Sequence, residues 1–110
     1  MSSADNPSSP ERPTPLSANE VAELVRRILN EGGRIIPTWH FAKRGVKRDF
    51  TTQDAMEVLL TGSVRSLALW NEECENWNHD VDGQDLDGEA LTVRIAFTSD
   101  QDGIILVTGF

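Results

Sequence analysis

The spacing of apolar residues predicts a capped amphipathic helix near the start of the chain. Its apolar stripe consists of Val21, Leu24, Val25, Ile28 and Leu29. Intervals of three and four residues place such a stripe on one helix face. The capping-box sequence S-A-N-E begins this helix at Ser17, and Gly32 and Gly33 end it, because glycine adopts the left-handed conformation of a helix C-cap.

A second helix is predicted from Thr51 onward. Asp54 stands three residues further along as a capping partner, and Phe50 is placed to pack back on the helix. The apolar side chains of this helix are Met56, Val58, Leu59 and Leu60. Between the two helices, residues 34–38 are apolar but contain Pro37, which suits an edge strand or a bend.

After Gly62 the helical period gives way to alternation, which predicts four strands. The first contains Val64, Leu67, Leu69 and Trp70, the second Trp77, His79 and Val81, the third Leu91, Val93, Ile95 and Phe97, and the fourth residues 104–110. Thr92 and Arg94 should face away from the core of the third strand. Asp87-Gly88 is a hairpin signal.

These elements predict an α+β fold, with two to three N-terminal helices packed on one face of a four-stranded antiparallel sheet. Residues 1–15 are rich in Ser and Pro and carry almost no apolar side chains, so they are predicted to be a disordered leader without persistent contacts. Residues 16–110 are predicted to form a single α+β domain.

Composition narrows the class of protein. A formal charge of −8 over 110 residues argues against general nucleic-acid binding, which uses Lys and Arg to displace counterions. The single Cys74 excludes a disulfide framework and fits a reducing compartment. No apolar run reaches the roughly 20 residues of a membrane span. The sequence therefore predicts a cytoplasmic protein without a membrane partner.

Residues 34–48 carry a charge of +5 within this acidic chain. In a helical conformation His40, Arg44 and Arg48 lie four residues apart on one side. Paired Arg forks and an imidazole are groups that bind a phosphodiester. In the alternative, both Arg residues pair with nearby carboxylates and His40 caps a helix end.

Gly45 lies inside this segment. Because glycine destabilises a helix interior by about 1 kcal/mol relative to alanine, the segment is predicted to form a frayed or broken helix.

Other side chains offer weaker candidates for chemistry. His79 could serve as a second acid or base, although a half-buried strand residue is the simpler interpretation. Trp39, Trp70 and Trp77 could stack on bases, but such residues more often anchor a core. No spacing typical of metal ligands is present, and no cofactor is predicted.

The order of four motifs adds a resemblance. They read HFAKRGVKR, FTTQDAMEVLLTG, WNHDVDGQDLDGEALTV and IILVTGF. From residue 40 to residue 110 the chain resembles the bacterial family known as domain of unknown function 4258, which is similar in fold to small toxin ribonucleases of the barnase–EndoU–colicin–RelE type. The matching polar positions are His40, Arg44 and Arg48. His79 stands where the family often carries an aromatic residue.

The resulting hypothesis is a toxin-like domain with an RNA site that would act, if catalytic, as a metal-independent ribonuclease. His40 would position or deprotonate the ribose 2′-hydroxyl, Arg44 and Arg48 would stabilise the phosphorane, and His79 could protonate the leaving oxygen. RNA and a protein such as an antitoxin are the expected partners. The alternative is a non-catalytic interaction module whose acidic sheet face binds a basic protein.

Overall fold

The fold consists of three helices and a six-stranded mixed sheet, described for residues 12–110 by a computed structural model. The elements in chain order are α1 (Ala18–Asn30), β1 (Arg34–Pro37), α2 (Trp39–Arg48), α3 (Thr52–Thr61), β2 (Ser63–Val64), β3 (Leu69–Asn71), β4 (Asn76–Gln84), β5 (Ala90–Phe97) and β6 (Gly103–Gly109). The predicted α+β class is confirmed, whereas the sheet differs from four antiparallel strands.

Both predicted capping boxes are present. The Ser17 hydroxyl accepts a hydrogen bond from the Glu20 amide at 3.1 Å, and the Glu20 carboxylate accepts one from the Ser17 amide at 2.8 Å. Thr51 and Asp54 exchange the same two bonds at 3.2 and 2.8 Å. Asp54 also accepts a bond from the Leu86 amide at 3.0 Å, which is the main reason that its pKa lies below the usual value. The cap therefore ties α3 to the β4–β5 hairpin.

The sheet is mixed because β1 pairs with β6 in parallel. Its strand order is β1-β6-β5-β4-β2, and β3 also pairs with β4. The predicted first strand, residues 64–70, is divided: β2 pairs with the second half of β4 and β3 with the first half, both antiparallel. Residues 34–37 form an edge strand, as Pro37 indicated, and Thr38 already caps α2. The partner of this strand lies about 70 residues away in sequence, so no local pattern could indicate the pairing.

The third predicted strand, β5, has the register that its alternation indicates. Val93 and Ile95 are fully buried, whereas Thr92 and Arg94 lie on the opposite face of the sheet. Apolar side chains from all three helices join the strands in one core, which contains Val21, Leu24, Val25, Ile28, Phe41, Phe50, Ala55, Val58, Leu59, Val81, Leu91, Val93, Ile95, Ile104 and Leu106. The helices therefore cover one face of the sheet.

The predicted leader, residues 1–15, is described only in part, since residues 1–11 lie outside the described residues. Arg12 forms an ion pair with the β3–β4 turn at 2.9 Å. The carbonyl oxygen of Pro13 accepts a hydrogen bond from the indole N–H of Trp77. Arg12 and Pro13 therefore contact the β3–β4 hairpin.

Candidate functional site

The basic segment forms α2, whose N-terminus is fixed to β6. Thr38 is the N-cap, and its hydroxyl accepts a hydrogen bond from the Phe41 amide at 3.1 Å. The same hydroxyl lies 2.9 Å from the carbonyl oxygens of Leu106 and Val107, to which it can donate. Phe41 is buried beneath the helix. These contacts fix which side of α2 faces the sheet and which faces water.

Gly45 lies inside α2 without breaking it, so the predicted fraying is wrong. A Cβ atom at this position would lie 2.5 Å from the carbonyl oxygen of Phe50. Asp49 adopts the left-handed conformation, with φ 64° and ψ 50°, and the Phe50 amide donates to the Gly45 carbonyl at 3.0 Å. Glycine is required here because the chain turns back closely against the helix.

Five basic side chains occupy one side of α2, which we call the basic face: His40, Lys43, Arg44, Lys47 and Arg48. At 100° per residue they span about 140° of the helix circumference. Four of the five are exposed, and Arg44 is partly buried. The three predicted site residues of this segment therefore lie along the same side of one helix.

No ion pair among residues 12–110 includes a residue of the basic face. Arg44 donates from Nε to the carbonyl oxygen of Gly109 at 3.2 Å. The Lys43 ammonium lies 4.8 Å from the centre of the Trp39 ring. The alternative in which nearby carboxylates neutralise Arg44 and Arg48 is therefore absent from the described part of the chain, and their charge is available to an anionic ligand.

Arg48 differs from the rest of the basic face because it borders an acidic cleft of about 480 Å³. The acidic side chains of this cleft are Asp49, Asp85, Asp87 and Glu89. Their negative potential opposes an anion at the C-terminal end of α2. We therefore expect the strongest attraction for a phosphate group near His40, Lys43 and Arg44.

The structure does not bring His79 to the basic face. His79 is only 3% exposed and lies opposite Ile95 on the face that the helices cover, with its ring 6.1 Å from that of Phe97. Burial lowers its pKa, although the nearby Asp80 charge opposes this shift. α2 packs on β6, whereas His79 belongs to β4, and β5 lies between these two strands. His79 is therefore separated from the strand beneath α2 by two strand spacings, or about 10 Å.

None of the three tryptophans is fully buried, so the prediction of core anchors is wrong. Trp39 is 71% exposed, because it is the first residue of α2 and points away from the sheet. Trp70 and Trp77 are half-buried and lie directly opposite each other in β3 and β4. Trp39 therefore stands beside the basic face as an accessible aromatic surface.

A second charged cluster, not identified from the sequence, lies on the sheet face opposite the helices. Asp80 is 2% exposed and accepts two hydrogen bonds from Arg94, at 2.8 and 3.0 Å. Asp82 accepts two from Arg65, at 2.7 and 2.8 Å, and one from Thr92 at 2.6 Å. The Arg65 bonds are the main cause of the lowered pKa of Asp82. The pairing of β4 with β5 could have revealed this cluster, since it aligns Asp80 with Arg94.

This cluster also bears on the predicted acidic interaction face. Asp80 and Asp82 accept hydrogen bonds from Arg and Thr side chains of the same chain, which reduces the negative charge that this face offers to a basic partner. Within residues 12–110, no three His, Cys, Asp or Glu side chains are grouped so that they could hold a metal ion. No helix of this part of the chain is long and apolar enough to cross a membrane.

Comparisons with family models, with curated proteins and with solved structures gave no match to this chain. The resemblance to the domain of unknown function 4258 family therefore stays a prediction. RNA and antitoxin partners and a cytoplasmic location are predictions as well.

Proposed function

We propose that the basic face of α2 binds single-stranded RNA through its phosphodiester backbone. The observation that carries this proposal is the group of five basic side chains without a carboxylate partner among residues 12–110. Guanidinium groups bind phosphate oxygens in pairs, and ammonium groups act as point charges. The exposed ring of Trp39 offers a surface on which a base can stack.

The size and charge of the surface limit the interaction. A helix of ten residues is about 15 Å long, which is room for only a few phosphate groups. The chain carries a net charge of −8, so attraction is confined to the neighbourhood of α2. We therefore expect weak binding that decreases strongly as salt concentration rises.

The position of His79 argues for binding without cleavage. Metal-free cleavage of RNA needs one group to remove the 2′-hydroxyl proton and another to protonate the leaving oxygen. His40 is suitably exposed for the first role, but His79 is buried on another strand and cannot reach the same phosphate. Of the two histidines, only one is on the proposed surface, which supports RNA binding rather than a two-histidine ribonuclease.

NMR titration with a six-nucleotide uridine RNA at low salt tests the proposal. We expect shifts in the α2 amides and in the Trp39 indole N–H, with the RNA intact afterwards. Arg44→Ala should weaken binding, whereas Arg26→Ala, a matched removal of an exposed α1 arginine, should not. Shifts confined to other elements, or none, would contradict the proposal.

The same titration distinguishes the alternatives. An oligoglutamate of equal charge that bound as well as RNA would indicate an acidic protein partner for α2. Oligolysine that shifted the β4–β5 hairpin would instead support the acidic interaction module. Cleavage of the RNA that Arg44→Ala and His40→Ala both abolish would restore the ribonuclease hypothesis.

A further inference from the structure

Trp70 and Trp77 form an aromatic pair on the β3–β4 hairpin, away from α2. The two residues are cross-strand partners, and their rings meet edge to face at a centroid distance of 5.2 Å and an angle of 72°. Both are half-buried, so part of each ring remains accessible. The pair therefore presents aromatic surface and an indole N–H donor to its surroundings.

The N-terminal segment of the same chain lies on this pair. The Trp77 indole N–H donates a hydrogen bond to the carbonyl oxygen of Pro13. The Arg12 guanidinium lies 5.0 Å from the centre of the Trp70 ring and forms an ion pair with Glu72 at 2.9 Å. Three different interactions thus recognise one dipeptide: a hydrogen bond, a cation–π contact and an ion pair.

The sequence R-P-T-P-L from residue 12 onward has a restricted conformation. Pro13 and Pro15 each fix φ near −65°, and a residue that precedes proline is driven to extended backbone angles. Such segments favour polyproline II helices, whose carbonyl oxygens have no internal hydrogen-bond donors. Proline-rich peptides of this kind are bound by aromatic surfaces that offer a hydrogen-bond donor.

We propose that Trp70, Trp77 and Glu72 form a docking site for proline-rich segments with an arginine before proline. The Arg12–Pro13 dipeptide is its intramolecular ligand, and a segment of the same chemistry in a partner protein competes for the site.

Displacement of the intramolecular ligand is possible because the ion pair is exposed: the Arg12 and Glu72 side chains are 52% and 78% accessible. Neither Arg12 nor Pro13 belongs to the hydrophobic core. A competing peptide would therefore remove no core packing.

The experiment uses the full chain and a fluorescent peptide of residues 10–16, P-E-R-P-T-P-L. In the double variant Arg12→Ser, Pro13→Ser the intramolecular ligand loses the Arg12 guanidinium and the fixed backbone angle of Pro13, and keeps only the main-chain carbonyl oxygen of residue 13. We expect this variant to bind the peptide at least about tenfold more tightly than the unmodified chain, in which a tethered ligand competes at millimolar effective concentration.

Two further substitutions in this double variant locate the site. Trp77→Phe keeps an aromatic ring but removes the N–H donor, and we expect it to weaken peptide binding by about tenfold. Trp39→Phe, on α2, should leave the affinity unchanged. Fluorescence anisotropy gives all of these affinities.

The proposal is overturned if the folded double variant does not bind the peptide, or if the unmodified chain binds it equally well. The peptide E-R-S-T-S-L lacks proline. If it bound as tightly as the peptide of residues 10–16, the proposal would also be overturned, because attraction between charges alone would then explain the binding. Should the double variant not fold, excess peptide is titrated into the unmodified chain. A shift of the Trp77 indole N–H resonance is then expected, and an unshifted resonance contradicts the proposal.

Discussion

The arginines of α2 differ in their ion pairing from Arg65 and Arg94, which lie on the sheet face opposite the helices. We call that face the outer sheet face. Arg65 and Arg94 each make paired hydrogen bonds to an aspartate of β4, at 2.7–3.0 Å. Arg44 contacts a main-chain carbonyl oxygen, and neither it nor Arg48 forms an ion pair among residues 12–110. The same side chain therefore stabilises the fold in one region and remains available to a ligand in the other.

The local sequence explains this difference. β4 carries two aspartates, Asp80 and Asp82, at successive positions of one face, and each carboxylate meets an arginine of a neighbouring segment. Residues 34–48 contain no acidic residue. A buried carboxylate such as Asp80 requires its partners, because an uncompensated charge in the interior is very costly. Exposed cations on α2 have no such requirement.

The largest effect is expected on removing Asp80. Asp80→Ala leaves Arg94 without its carboxylate partner in the sheet, and we expect a loss of about 3–5 kcal/mol in the free energy of unfolding. Urea denaturation measures this loss. Arg34→Ala, which breaks the exposed pair with Asp100, is the control and should cost far less. Equal costs for the two variants would remove the distinction between the regions.

A smaller effect is expected from the half-exposed pair of Arg65 and Asp82. A double-mutant cycle with alanine at both positions should give a small coupling energy that decreases as salt is added. The matched cycle for Arg48 and Asp85, which border the same cleft without an ion pair, should give no measurable coupling. Similar coupling in both cycles would mean that Arg48 is also neutralised within the chain.

The buried His79 should make stability depend on pH. Because burial lowers its pKa below the usual 6.5, the unfolded chain binds this proton more readily than the folded chain does. The contribution of His79 is therefore intact above pH 6.5 and is lost as the pH falls below that value. Thermal melts from pH 7.5 to 5 should show this loss, and His79→Asn should reduce it. An unchanged pH profile in His79→Asn would contradict the buried position.

The smallest effect on stability is expected for the exposed residues of the basic face. Lys47→Ala and Arg48→Ala should change the free energy of unfolding by no more than about 0.5 kcal/mol, as is usual for surface positions. Urea denaturation of each variant gives the value. A decrease of about 2 kcal/mol or more in the free energy of unfolding would show that these cations stabilise the fold, which would contradict their description as side chains without a structural role.

The sequence indicated the elements whose signals are local. Ser17 and Thr51 identified the helix starts through their capping partners, and alternation identified the buried face of β5. It could not indicate the parallel pairing of β1 with β6, because strand pairing between distant segments has no local signature. The division of residues 64–70 was missed because both halves pair with one continuous partner, β4.

The candidate site was predictable to a similar extent. Helical spacing was enough to place His40, Arg44 and Arg48 on one side of α2. His79 was grouped with them because histidine and arginine side chains both suit phosphate chemistry. Its alternation with Val81 already indicated that its side chain faces the core. Chemical type alone did not determine which side chains share a surface, because that depends on the order of strands in the sheet.

The salt dependence of RNA binding tests most directly whether α2 and the outer sheet face differ as described. Each phosphate contact should contribute about −0.7 to the slope of the logarithm of the binding constant against the logarithm of salt concentration. For a surface with three or four contacts we expect a slope of about −2 to −3. Arg44→Ala should reduce its magnitude by about 0.7, and Arg65→Ala should leave it unchanged. RNA binding that is absent at low salt, or a slope that both substitutions reduce equally, would contradict the account.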